Sequence, residues 1–322
     1  MFANVYGDIF VTLYAKISVN LWAEHPQITE WKRHKLPNVQ NNKQPLNINH
    51  MKKTLLLLAA CAVSMLASAQ IFQVLSLEQL SAASYDDAKV AGISPKGNYL
   101  LMTTGSTKGL QHYDIQSGTM TTLSQAENAG FDVKISKDGN QVAFTERTYR
   151  LGQETLEKNV CANIANNTLA AVSKRVAKEK SVALLNEDGI MYVERNGERT
   201  LLAPFGTDNK IYIWTSLSPD QTKVCYYLGG KGCYVCNLDG SDNTLVSKDC
   251  HAAKWYNNHT LVAMNDKDNG HYITASSIVA YTLDGKVQVL TSPDMIAMDP
   301  VATNGKIAFT TINGKTYLMS VR

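Results

Sequence analysis

The chain has 322 residues, 44% hydrophobic and 18% charged, which supplies apolar material for one large domain or two ordinary ones and excludes a disordered protein. Its formal charge of +3 is unevenly placed: of 31 Lys or Arg and 28 Asp or Glu, residues 1–69 hold seven and three, leaving 24 against 25 from Gln70 onward. A body this close to neutral gives no electrostatic reason to bind nucleic acid, and none is expected as a partner.

Residues 1–50 show no sustained amphipathic period and end in an Asn/Gln/Lys-rich polar stretch, which suits a linker, a disordered segment or an upstream extension foreign to the native protein. The stretch "MKKTLLLLAACAVSMLASAQ" (51–70) then sets Lys52 and Lys53 before an apolar run from Leu55 to Leu66 and closes on Ala67-Ser68-Ala69. That is the three-part layout of a secretory signal peptide, with Met51 as the expected initiator, cleavage expected after Ala69 and a mature chain of 70–322. The run is about a dozen residues, short of the roughly 20 that a spanning helix needs, so no transmembrane segment is expected in the mature chain. Leu58-Ala59-Ala60-Cys61 resembles the lipobox of bacterial lipoproteins, and lipidation of Cys61 is the minor alternative. The expected address is the periplasm, the cell surface or the medium.

Export implies an oxidising compartment. Cys161, Cys225, Cys233, Cys236 and Cys250 are odd in number, so they cannot form a complete disulfide framework. Cys233 and Cys236 form a C-x-x-C, but "KGCYVCNLDG" reads as a strand running into a turn, which sends positions three apart to opposite faces. Small apolar core filling is the expected role of most of the five.

From residue 93 the chain repeats itself. "ISPKGNYLLM" (93–102), "ISKDGNQVAF" (135–144), "LSPDQTKVCY" (217–226), "WYNNHTLVAM" (255–264) and "VATNGKIAFT" (301–310) each place a polar turn between two short apolar strands. The turns begin at 94, 136, 218, 257 and 303, and a degenerate copy around "SVALLNEDGIMYVERNGERTLLAP" (181–204) fills the one double gap. The mean interval is about 42, the length of a four-stranded propeller blade. "HYDIQSGTMTTLS" (112–124), "NVCANIANNTLAAVS" (159–173), "YVCNLDGSDNTLVS" (234–247) and "VAYTLDGKVQVLT" (279–291) read as the hairpins that complete the blades. The last unit, "KIAFTTINGKTYLMSVR", supplies only three strands, while "IFQVLSL" (71–77) is unassigned. The expectation is an all-β, single-domain, six-bladed β-propeller of four-stranded antiparallel blades, whose last blade is closed by the N-terminal strand of the mature chain.

These repeats resemble those of the TolB-like, or WD40-like, β-propeller proteins, whose hallmark is a Ser-Pro-Asp-Gly turn before a strand like "IAF" and a later "Y-x-x-N-L-D-G". Ser218-Pro219-Asp220 followed by "YVCNLDG" is the nearest match, and the resemblance spans roughly 86–322. It implies a binding or interaction module of the bacterial cell envelope. TolB itself carries an extra domain before its propeller for which 70–322 has no space, so its role does not transfer directly.

Chemistry is sparse. No G-x-S-x-G occurs, so the peptidases that share such propellers are not matched. His112, His251, His259 and His271 are read as lying in a strand, at the start of a blade, in a turn and in a loop, an unpromising set for a shared metal. "NDKDNGHY" (265–272) offers Asp266 and Asp268 as weak calcium candidates without the distal Glu of an EF-hand; neither a metal nor another cofactor is expected. Two loops between second and third strands look long: 146–157 carries Arg147, Tyr149 and Arg150, and 265–276 carries His271 and Tyr272. Arg supplies planar donors to carboxylate or phosphate and Tyr a flat apolar surface, so these five are the candidate binding residues, half a ring apart, for an envelope protein or a glycan or peptide ligand. The expected function is a non-catalytic binding propeller. A carbohydrate-active lyase or hydrolase at the channel mouth is the alternative, which clustered acidic residues there would favour; an apolar or Arg/aromatic mouth would favour binding.

Overall fold

A computed structural model describes residues 70–149, 155–165, 168–171 and 182–322. The signal-like segment, Cys61, Arg150 and the first fifty residues lie outside the described residues. Strand β1 (Val74–Gln79) leads into blade one, formed by β2 (Ala88–Ile93), β3 (Tyr99–Thr104), β4 (Leu110–Asp114) and β5 (Met120–Ser124). Blade two contains β6 (Lys134–Ile135), β7 (Gln141–Thr148), β8 (Leu156–Asn163) and β9 (Thr168–Ala171), and blade three β10 (Ala183–Glu187), β11 (Ile190–Arg195) and β12 (Glu198–Leu202). Blade four comprises β13 (Tyr212–Leu217), β14 (Lys223–Leu228), β15 (Gly232–Asn237) and β16 (Thr244–Ser247); blade five comprises β17 (His251–Asn257), β18 (Thr260–Asp268), β19 (Ile273–Thr282) and β20 (Val287–Val289). Blade six takes β21 (Ala297–Thr303), β22 (Lys306–Thr311) and β23 (Thr316–Val321), and its fourth strand is β1, antiparallel to β23 with Gln79 opposite Tyr317 and Val74 opposite Val321. The six-bladed propeller and its N-terminal closure are as the repeats imply.

In the first, second and fourth blades one serine organises the turn between the first two strands. Ser218 Oγ accepts the Thr222 and Lys223 N–H groups and donates to Asp220 Oδ1 at 2.6 Å. Ser94 accepts from Asn98 and Tyr99, and Ser136 accepts from Gln141 while donating to Asp138. A short polar side chain thus ties the turn backbone that the strands leave unpaired.

The third copy departs from the expected register. The turn joining β10 and β11 meets the start of β13: Tyr212 N–H donates to Gly189 C=O, and Asn186 Nδ2 to Tyr212 C=O. In the other blades that position belongs to the turn between second and third strands. The three described strands of blade three are therefore its second, third and fourth.

Apolar cores lie between blades. One cluster joins Leu101 and Leu110 to Val142 and Phe144, another Met191 and Val193 to Val224 and Tyr226, and a third Cys225 and Val235 to Trp255 and Leu261. Val262 and Ile278 pack with Ile307 and Phe309, and Val301 and Leu318 close against Val90 and Leu100. All five described cysteines are free and buried. Cys233 faces blade five and Cys236 blade three, the opposite-face placement that the strand pattern requires.

Candidate functional site

The first strands of blades one, two, five and six border the propeller axis, as the charge interactions among them indicate. Lys89 Nζ on β2 pairs with Asp299 Oδ2 on β21 at 3.1 Å. Lys254 on β17 senses Lys134 of β6, Asp132 just before it, and Asp299. Burial pushes the Lys254 ammonium below its usual range; Cys225 opposes this most, Lys134 adds to it, and Asp132 and Asp299 oppose it further. Lys134 is itself paired with Asp132 at 2.5 Å.

These inner strands share a backbone device. Asp132, Trp214, Ala252 and Asp299 have φ of 48, 50, 49 and 49°, and the pairing shifts between Ile213 and Ser216, between His251 and Lys254, and between Met298 and Val301. Each bulge admits a left-handed residue that turns its side chain out of the normal alternation. Asp tolerates this conformation, but a bulky Trp in it is unusual and strained by about 1–3 kcal/mol.

At Trp214 the device builds an aromatic mouth. Ile213 pairs with Tyr227, so Trp214 lies beside the turn that joins β14 to β15. Its ring, 38% exposed, stands 5.4 Å from that of Tyr227 and 5.5 Å from that of His251, and the latter two are 4.9 Å apart edge to face. Asp266, from the end of β18, anchors the cluster through a 2.5 Å contact between its Oδ1 and His251 Nδ1. Blades four and five thus contribute to one surface, with Ile213 36% exposed beside it.

The Asp266 hydrogen bond holds the His251 imidazolium above its ordinary range; burial works against this, and the charges of Asp249 and Asp268 assist. A histidine raised in the folded state contributes stability that is complete below its unfolded value of about 6.5 and is lost as pH climbs through the raised folded value. Asp266→Asn should therefore cost about 2 kcal/mol at acidic pH, the worth of a charge-assisted hydrogen bond, and progressively less in alkali. Melting temperatures of both proteins across that range check this; a pH-independent difference would refute the linkage.

The residues singled out in the sequence are placed differently. The two apparent long loops are mostly paired strand: β7 and β8 stay in register up to Thr148 opposite Leu156, and β18 and β19 up to Asp268 opposite Ile273. Arg147 is committed within its hairpin, its Nε donating to Glu157 Oε1 at 2.7 Å, and its N–H to Glu127 C=O. Tyr149 is 63% exposed and borders, with Arg147, Lys108 and Glu127, an open depression of about 440 Å³. Tyr272 is 74% exposed, with the His271 ring 6.4 Å away. Among the described residues, no hydrogen bond or ring contact joins one tip to the other. Asp268 accepts the Gly270 N–H in a turn while Asp266 serves His251, and no group of three or more His, Cys, Asp or Glu among the described residues is arranged to hold a metal ion.

Sequence reasoning passed over Trp214, Tyr227 and Lys254. The signal available was position: Trp214 stands four residues before the turn serine, where blade two has Asp132.

No protein-family profile matches the chain, and no curated protein sequence matches it. Solved structures do. A putative TolB from Agrobacterium tumefaciens superposes with a TM-score of 0.50 at 14% identity, over 76% of this chain and 96% of that one. An oligogalacturonate lyase in complex with manganese gives 0.46 at 11% identity, over 71% and 76%, and TolB from Acinetobacter baumannii 0.42 at 10%, over 74% and 56%. The likeness is one of fold: a TolB-like propeller. No helix among the described residues is long and apolar enough to cross a membrane.

Proposed function

We propose that this protein is an exported, non-catalytic propeller of the cell envelope that binds a partner or ligand at the mouth around Trp214, Tyr227 and His251. The observation that carries the reading is the half-exposed Trp214, held in a strained backbone and braced by two rings from neighbouring strands. Exposed aromatics on a rigid scaffold supply large contact area at little entropic cost, which is why they dominate binding hot spots. An aromatic mouth favours binding over catalysis, and a carbohydrate-active reading gains no separate support from this site. Export rests on the signal-like segment 51–69. Arg147, Tyr149, His271 and Tyr272, on hairpin tips of the same face, extend the proposed contact surface, and Arg150 adjoins them in sequence.

Photo-crosslinking in the native envelope tests the reading. Benzoylphenylalanine at Ile213 or Tyr272 should give discrete adducts, whereas at Asp239, in the turn at the opposite end of blade four, it should give none. Adding Trp214→Ala to the Ile213 probe should cut the yield about tenfold, as loss of a hot-spot aromatic does. Equal adducts from position 239, or indifference to Trp214→Ala, would sink the proposal.

A further inference from the structure

We infer that Cys233 and Cys250 form a modification site: the pair closes into a disulfide that staples blade four to blade five beneath the aromatic mouth. The oxidising compartment comes from the export proposed above, whereas the placement of the two thiols stands without it.

Packing between the blades brings the pair together. Cys233, the second residue of β15, is 1% exposed and faces blade five; Cys250, just before β17, is wholly buried in the same core. Cys233 lies opposite Ser247 of β16, three residues before Cys250, and a Cβ added to the neighbouring Gly232 would stand 3.0 Å from Lys248 Cα. On its other side Cys233 lies opposite Tyr227, whose ring is 4.9 Å from that of His251, the residue after Cys250. Between these contacts the Cys233 S–H donates to the Cys250 sulfur. That hydrogen bond and burial hold the Cys233 thiol well above its ordinary range, so the link has to form during folding, before the core closes over it.

Cys225 shares this core but is the wrong partner. It lies opposite Val235, which makes Cys233 its diagonal neighbour at about 7–8 Å, beyond the reach of a disulfide. Its thiol is also turned to Ala253 C=O at 3.8 Å. Cys236 faces blade three and Cys161 lies on β8 of blade two. One disulfide and three thiols is an arrangement that an odd number of cysteines permits.

The oxidant is an external disulfide, either glutathione disulfide or a disulfide-carrying oxidoreductase. One cysteine attacks it as a thiolate and expels the first of its sulfurs; the other cysteine, once deprotonated, displaces the second from the mixed disulfide. Two electrons and two protons leave with the oxidant's two thiols, and one S–S bond joins the blades.

The test refolds the chain from Gln70 onward in a glutathione redox buffer, then denatures it, alkylates it and maps its peptides by mass spectrometry. Cys233 and Cys250 should emerge joined, with Cys161, Cys225 and Cys236 alkylated. Refolding in dithiothreitol instead should lower the melting temperature by roughly 6–12 °C, the effect of opening a loop of roughly 15–20 residues in a domain of this size. The double variant Cys233→Ala, Cys250→Ala should melt with the reduced chain in either buffer, and Cys225→Ala should keep the shift. Five alkylated cysteines, a link through Cys225, or melting indifferent to the reductant would overturn the inference. A bond that forms on refolding but is missing from protein isolated from the native cells would uphold the pair and reject an oxidising destination.

Discussion

Deleting residues 70–79 should lower the melting temperature by on the order of 10 °C or more, the expected result if ring closure depends on a strand from the opposite end of the chain. All six residues of β1 are exposed at the sheet edge, so its contribution comes from the ladder to β23 and from its two anchors. Before it, Phe72 is 5% exposed, sits 4.5 Å from the Tyr256 ring, and has its backbone clasped by Gln288, which accepts its N–H and donates to its carbonyl. After it, Leu80 is 4% exposed and donates its N–H to Thr316. Phe72→Ala alone should cost about 3–4 kcal/mol, since truncating a buried aromatic leaves a cavity between blades. At roughly 2–4 °C per kcal/mol for a domain of this size, the deletion exceeds what the single variant loses. Calorimetry on both proteins decides, and a deletion variant that melts with the intact chain would show that closure contributes nothing.

Gly314→Ala should destabilise by about 3 kcal/mol or more through a different mechanism. Gly314 lies in the tight turn between β22 and β23, its φ is +69°, and an added Cβ would fall onto the carbonyl of Tyr85. That carbonyl belongs to the segment running from β1 into blade one, which is pinned there by Thr316 Oγ1 donating to Ala83 and by Ser84 Oγ accepting the Thr316 N–H. The backbone cannot yield without breaking these bonds, and an alanine in this conformation is strained even in open space. Gly285→Ala, also at positive φ but with nothing near its added Cβ, isolates the backbone contribution and should cost only about 1 kcal/mol. Equal losses in chemical denaturation would mean that the Tyr85 contact carries no weight.

Both effects trace to features that the sequence displays. The turn serines, the Gly and Asn that follow them and the alternating apolar strands are local signals, because each turn satisfies its own backbone within five or six residues. Repetition multiplied that local signal into a blade count, and a final unit one strand short pointed to "IFQVLSL" as the missing piece. The C-x-x-C was equally legible, since strand geometry alone separates Cys233 from Cys236. Where polarity replaced alternation, the reading failed. "ERT" and "EK" at the ends of β7 and β8 are polar at every position, so nothing in their pattern distinguishes paired strand from loop, and Arg147 was assigned to a long loop when Glu157 opposes it across the ladder.

The aromatic mouth and the channel charges belong to the tertiary structure alone. Trp214, Tyr227, His251 and Asp266 come from four strands of two blades, and Lys89 meets Asp299 only because the ring closes. A β-bulge, invisible in a pattern of period two, decides which way Trp214 points. Sequence determines strands and turns, whose physics acts over a few residues; the site depends on how blades are set around an axis, and that setting is fixed by cores formed between residues far apart in the chain.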